Sequence, residues 1–529
     1  MFEQRLKATD VEEVIEYNVK MPVSEFLEDV RFPFIKNMRE AVALARKYLA
    51  EHPGCTVYII GDYDTDGLLA STNLEWAFKR LGVNVKIRIP RRMSEGYGLK
   101  EKIIDEIDDG LVITVDNGIA AKDAIQKAKD KGLTVIVIDH HLAPRDEDGN
   151  MILPPADVIV DPHIEEESEF KMFCGAALAY FFAKEMFPDA NLYPLLVLAA
   201  IATVADVMPL VGANRTLVKD GLELINARRN VPGLNAIIDA KELTVITEED
   251  FGFLFGPIFN AAGRLYDNGG TKVLNVLCSS NTNPALKWQV KELIEINEKR
   301  KSIVKESMVI ADNLVTDERP IVIYHPSFGE GIVGIISGQL TERYNTPSIV
   351  FTLTPNGVYK GSARSTENIH LKNALDKMQS TMLGYGGHAG AAGVSVSPEE
   401  FDNFKNAFIE NVGTEHNDSD ALQYDLEITE NDIESMAMEV EKFAPYGEGN
   451  PKVRFHLKLD VTNGSYAVMG DGTHFCITMD DYKVMGFGLV SKYEAMGMPK
   501  KMEVVCYISY NWYGGQKAIN VELIDFIEI

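Results

Sequence analysis

An α/β chain is predicted, with a parallel-sheet lobe, a second α/β lobe reached through a long helix, and a small all-β unit at the end. Three observations carry this. Five short apolar runs between residues 56 and 162 alternate with helix-length segments, the stretch 285–314 contains no Gly or Pro, and the last hundred or so residues alternate apolar and polar over short spans. A chain of 529 residues exceeds one core and requires about three or four domains, which 46% apolar content can fill.

Residues 1–45 form an N-terminal segment, and the first lobe is expected over 46–280. Its strands are "TVYIIGD", "NVKIRI", "LVITVDNG", "LTVIVIDHH" and "ADVIVDP". Continuous apolar runs of this kind belong to a parallel sheet covered on both faces, and ligands of such sheets gather beyond the carboxyl ends of the strands. Residues 171–230 read as helical, and 281–314 as a connector helix. "RPIVIYHPSFGEGIVGIISGQL" opens a Gly-rich α/β lobe over 315–413, and the polar, acidic "GTEHNDSDA" at 413–421 reads as a linker. Over 414–529, "VRFHLKLDVT", "HFCITMDDYKVMGFGLV" and "KMEVVCYISYNWYGGQKAINVELIDFI" predict a small barrel or sandwich.

No apolar run reaches eighteen residues, and Glu3, Arg5, Lys7 and Asp10 interrupt the start, so neither a membrane span nor a secretory leader is expected and the compartment is the cytoplasm. Cys55, Cys174, Cys278, Cys476 and Cys506 form no C-x-x-C pair, which argues against a disulfide framework and a thiolate zinc site. Against 79 acidic residues stand 52 Lys and Arg, a net charge of −27. That balance excludes a protein that coats nucleic acid with a general basic surface and confines any such contact to local grooves.

The chemistry gathers at strand ends. "GDYDTDG" places Asp62, Asp64 and Asp66 beyond the first strand, Asp116 follows "LVITV", Asp139, His140 and His141 follow "LTVIVI", and Asp206 lies within "AAIATVADVMPL". One Asp after a strand is accounted for by a helix cap or a turn. An EF-hand is disfavoured, because Glu75 is misplaced for a loop starting at Asp62 or Asp64. Four such segments in one lobe fit a pair of divalent cations about 3.5–4 Å apart, and oxygen ligands with imidazole favour manganese or magnesium.

"GDYDTDG", "VDNGIA", "DHH" and "TVADVMPL", in this order, resemble the four motifs of the DHH phosphoesterase superfamily, and "GYGGHAGAAG" (384–393) resembles the Gly-rich motif of its companion DHHA1 domain. "GPIFNAAGRL", "APYGEGNPKVRF", "SEGYGL" and "NRTLVKDGL" are similar to segments of the RecJ-type single-strand-specific exonucleases. The resemblance covers residues 20–529 and implies a DHH-type parallel-sheet lobe, a DHHA1 lobe and a C-terminal OB-fold barrel. It also implies two Mn2+ or Mg2+ ions. Asp62, Asp64 and Asp116 would surround one, and Asp66, Asp116, His140 and Asp206 the other, with His141 beside the scissile phosphate.

Arg264 in "NAAGRL" is the candidate phosphate clamp, since its planar fork suits two oxygens, with a structural ion pair as the competing role. Arg364, Ser365 and His388 with Gly386, Gly387 and Gly390 could cradle phosphates, against a turn shaped only for chain geometry. Lys86, Arg88, Arg91 and Arg92 offer either a groove wall or a solvated face. Tyr466, Phe475, Tyr510, Trp512 and Tyr513 are divided between stacking platforms and core.

The implied activity is 5′→3′ exonucleolytic release of mononucleotides from single-stranded DNA, in repair and recombination. Its rivals are a phosphodiesterase of short oligonucleotides or cyclic dinucleotides, and a non-catalytic replication scaffold of the same fold. Single-stranded DNA is the expected partner, with a single-strand-binding protein or helicase beside it, no membrane, and a monomeric chain.

Overall fold

The computed structural model describes residues 2–529 except Tyr97, Glu165, 367–368, 413–421, Asp471 and 514–515, with the side chain of Tyr513 also outside it. The expected linker, 413–421, thus lies outside the described residues.

All five apolar runs of the first lobe are strands: β1 (Thr56–Ile60), β2 (Asn84–Arg88), β3 (Leu111–Val115), β4 (Thr134–Ile138) and β5 (Val158–Val160). They pair in parallel in the order β2-β1-β3-β4-β5. Side chains of alternate parity enter opposite cores. Val57, Ile59, Ile113 and Ile136 pack under one layer of helices, while Ile60, Val112, Val135 and Val137 pack under the other. Burial on both faces is why these strands read as unbroken apolar runs. Three helices of the lobe matter most for the site: α1 (Thr65–Arg80), α2 (Gly175–Met186) and α3 (Tyr193–Ala205). After them a π-helical turn, Phe251–Phe255, runs directly into α4 (Gly256–Leu265).

The connector is α5 (Pro284–Leu314), 31 residues long, capped by Asn283 with Pro at its first turn. One stripe joins two cores: Leu286, Val290, Leu293 and Ile296 pack into the first lobe, and Val304, Met308 and Ala311 into the second. Between these halves the stripe turns polar, with Arg300 donating to the buried Asn297 at 2.8 Å.

The second lobe is a mixed sheet of β6 (Ile321–Tyr324), β7 (Ser348–Leu353), β8 (Tyr359–Arg364), β9 (Gly384–Gly387) and β10 (Ala391–Val396), ordered β9-β10-β8-β7-β6. The C-terminal unit is a seven-stranded sheet whose longest strands, Lys501–Tyr513 and Gln516–Glu528, pair antiparallel with a bulge between Val505 and Cys506. Its core also takes in Val11, Val14, Ile15, Val19 and Phe26, so residues 11–26 pack with the end of the chain, whereas Ile35 and Met38 belong to the first lobe. Among the described residues no helix is long and apolar enough to cross a membrane.

Candidate metal centre and phosphate cleft

The strand order reverses between β1 and β3, the place where ligands of such sheets gather beyond the carboxyl ends of the strands. Asp64 caps α1, accepting from Gly67 N at 3.1 Å, so the cap reading and the ligand reading apply to one residue. Asp66, in the first turn of α1, receives two backbone N–H groups from the start of α2: Gly175 N at 2.6 Å and Ala176 N at 2.7 Å. That helix end is partly positive and favours a carboxylate. Asp116 leaves β3 with φ +58°, a left-handed conformation that Asp adopts more readily than most residues. Its Oδ1 lies 3.0 Å from His140 Nε2, which is 3.6 Å from Asp66 and 3.8 Å from Asp206 at the end of α3.

Three sets of ligand atoms each fall within 4.8 Å of one another: Asp62, Asp64, Asp116; Asp66, His140, Asp206; and Asp116, His140, His141. Burial, then the neighbouring carboxylates, pushes Asp62, Asp64 and Asp116 upward, and Asp206 to about 9. Burial lowers His140. For Asp139, burial is outweighed by its hydrogen bond from His141 and the two histidine charges, which hold the carboxyl low; the same bond lifts His141 against its own burial. One oxygen of Asp62 is buried without a hydrogen-bond partner. A crowded, oxygen-rich set with an orphan lone pair fits hard divalent cations, whose charge would relieve the repulsion.

Guanidiniums lie within electrostatic reach of the carboxylates. Arg264, on α4, donates from Nη1 to Gly331 O of the second lobe at 3.1 Å, and its charge is pressed by burial and then by Arg92, Arg300 and Arg364. Its competing role as a structural ion pair does not occur among the described ion pairs. Arg364 braces on Ser362 Oγ and Ala363 O at 3.0 and 2.8 Å. Ser365 holds the adjoining turn, its N donating to Gly390 O and its hydroxyl to Ile369 O. Gly387 has φ +151°, and a Cβ there would meet Ala391 O at 2.3 Å, so the Gly-rich turn has a geometric reason. Burial, and then the charges of Arg364, His370 and His141, lower His388.

Of the basic run, Arg92 turns to the cleft, over the Tyr63 ring at 4.8 Å. Arg88 is tied to Glu95 and Glu106, and Lys86 lies over Tyr58. In the terminal unit Phe475 is core, Tyr466 stacks on Tyr493, Lys517 covers Tyr510, and Trp512 is 39% exposed.

Comparison with known proteins decides the family. Three family models match: the DHH family N-terminal domain over 56–203, the DHHA1 domain over 317–414 and the RecJ OB domain over 424–525. The chain is 32% identical to the single-stranded-DNA-specific exonuclease RecJ of Salmonella typhimurium over 447 residues, 77% of this chain and 76% of the relative. The chain belongs to the RecJ family. Crystal structures of RecJ from Thermus thermophilus with Mn2+ and with Mg2+ match 98% of it, at TM-scores of 0.80 and 0.75 and identities of 26% and 25%, and the match covers 75% and 74% of those chains. The parallel lobe, the DHHA1 lobe and the C-terminal OB domain are therefore as expected, the last resolving the choice between barrel and sandwich.

Three contributors to the RecJ-family site escape a reading by residue type. Asp139 accepts from Ile119 N, His140 N, His141 N and His141 Nδ1, fixing both histidines. Asn260 accepts from Thr65 N at 2.9 Å, pinning the loop between Asp64 and Asp66 to α4. Gly175 lets α2 approach: a Cβ there would lie 2.6 Å from that of Asp116. The first shares its residue type with the ligands and could be suspected from "DHH". The other two act through one side-chain amide that holds a backbone N–H and through one missing Cβ, neither of which leaves a chemical signature in a sequence.

Proposed function

We propose that this chain is a manganese- or magnesium-dependent exonuclease that hydrolyses single-stranded DNA from 5′ ends to mononucleotides. The observation that carries the reading is a cluster of buried carboxylates and His140 whose ligand atoms fall in sets of three within 4.8 Å of one another, with Arg92 and Arg264 within electrostatic reach of Asp62 and Asp64. The relatives it matches are named single-stranded-DNA-specific exonucleases.

Asp62, Asp64 and Asp116 would hold one cation, and Asp66, Asp116, His140 and Asp206 the second. When bound, the cations acidify the attacking water and offset charge on the phosphate oxygens. The residues do the rest. Gly175 N and Ala176 N orient the Asp66 carboxylate. Asp139 accepts the hydrogen bond of His141 Nδ1, so that Nε2 is the nitrogen donating to a phosphate oxygen. Arg264 and Arg364 clamp the phosphate, with Ser365, Gly387 and His388 shaping the opposite wall. The scaffold alternative is disfavoured because every ligand position is filled, and the small-substrate alternative because the OB domain is present. At net −27 the chain grips a strand locally, which suits a cytoplasmic monomer supplied by a single-strand-binding protein or a helicase.

Strands labelled at either end, as DNA and RNA, in manganese and in magnesium, test this. Labelled mononucleotide should appear from the 5′ label first, blunt duplex should resist, and Asp116→Asn should be inactive. Absence of metal-dependent cutting by the wild type would leave the scaffold reading.

A further inference from the structure

Along 251–265 the exposed residue is Phe253, and half-buried Pro257, Asn260 and Arg264 follow it at spacings of four, three and four, while Phe251, Phe255, Ile258, Phe259 and Ala262 are buried. Two of the half-buried residues belong to the site already described. Asn260 pins the metal-binding loop, and Arg264 is the cation at the far end. At 1.5 Å per residue, Phe253 stands roughly 10 Å from Asn260 along the rod and Arg264 about 6 Å on the other side. Phe253 is 83% exposed and sits in the π-helical turn, a distortion that is frequent at functional sites. That turn rests on the helix that delivers Asp206: a Cβ on Gly252 would be 3.5 Å from Val204 and one on Gly256 3.1 Å from Ala205.

Single exposed apolar side chains are ordinary, but two more directly follow site residues in the chain. Val207, next to Asp206, is 63% exposed with φ +56°, a conformation that β-branched residues avoid; Leu142, next to His141, is 76% exposed. Apolar surface is thus presented at the edge of a site otherwise built from charges.

Resting on the exonuclease reading, we infer that Phe253 is the platform for a base of the bound strand, on the side of the scissile phosphate away from Arg264. A nucleotide has one flat apolar face, its base, and an exposed ring beside phosphate-binding groups is complementary to it.

The test places 2-aminopurine at successive positions near the 5′ end of a strand and measures fluorescence on binding in the Asp116→Asn background, where the strand is not cut. One position should quench on binding. Adding Phe253→Ala should abolish that quenching, and Phe253→Tyr should keep it. In the cutting-competent enzyme Phe253→Ala should lower kcat/KM about tenfold or more, chiefly through KM, with unchanged thermal stability because the ring is exposed. An abasic nucleotide at the quenching position should slow the wild type and leave Phe253→Ala unaffected. Quenching that survives Phe253→Ala, or quenching at no position, overturns the platform even where the nuclease is active. A wild type that cuts nothing in manganese overturns the exonuclease reading instead, and the quenching pattern still decides for or against the platform.

Discussion

Asp116 meets three demands at once: a left-handed backbone, contact with His140, and closeness to Asp62, Asp64 and Asp66. Asn satisfies the first two and removes the charge, so Asp116→Asn isolates the third. Without metal the variant should melt at or above the wild-type temperature, because a buried carboxylate repelled by its neighbours is gone. With manganese the wild type should rise and the variant should not, since ligand binding stabilises only the state that binds. A variant that keeps the manganese-induced rise would remove Asp116 from the cation site. Asp139 behaves oppositely. Asp139→Ala leaves four donors without their acceptor, at about 1–3 kcal/mol for each one that stays buried and unpaired, so a large fall in melting temperature is expected even without metal. At this scale the candidate ligands were legible because they are acidic residues and a histidine in short motifs that follow strands or, for Asp206, close a helix. Asp139 stands in the same motif, but its work of accepting from Ile119 N and both histidines depends on where its carboxylate points, and direction is a property of the fold.

The five parallel strands were legible as elements because burial on both faces leaves unbroken apolar runs, and α5 because its apolar spacing persists across two cores. The precise approach of α2 and α4 to the metal loop was not, since it depends on one missing Cβ and one side-chain amide. Gly175→Ala would bring its Cβ to 2.6 Å from that of Asp116 and 3.1 Å from Asp66 Oδ2, forcing α2 back from both carboxylates. The expected result is weaker manganese binding by calorimetric titration, with activity recovered at high manganese. Asn260→Ala removes the acceptor of Thr65 N and should do the same with a smaller stability cost, about 1–3 kcal/mol. Unaltered manganese affinity in both variants would show that the loop holds its shape without them.

Across the whole molecule the chain closes on itself. Phe2–Gln4 pairs in parallel with Leu422–Tyr424, and Arg5 meets the buried Asp425 at 2.7 Å. The helix Val11–Val19 then adds Val14 and Ile15, both fully buried, to the C-terminal core. Nothing in the sequence signalled this, because a three-residue strand has no period to detect and its partner lies more than four hundred residues away. The first lobe begins its own core only at Ile35, so the ends of the chain form one structural unit and the metal centre another. Two consequences follow for unfolding, which for a chain of several cores is not a single two-state event. Ile15→Ala should cost about 2–5 kcal/mol in the C-terminal unit, lowering the transition that belongs to it. Manganese, held by residues of the first lobe, should raise that lobe's transition and leave the other where it was. Scanning calorimetry of the wild type and Ile15→Ala, with manganese and with chelator, separates the two: a variant that lowers one transition while manganese raises the other supports independent units, and a single transition moved by both would mean that the closure at the chain ends couples the OB domain to the metal centre.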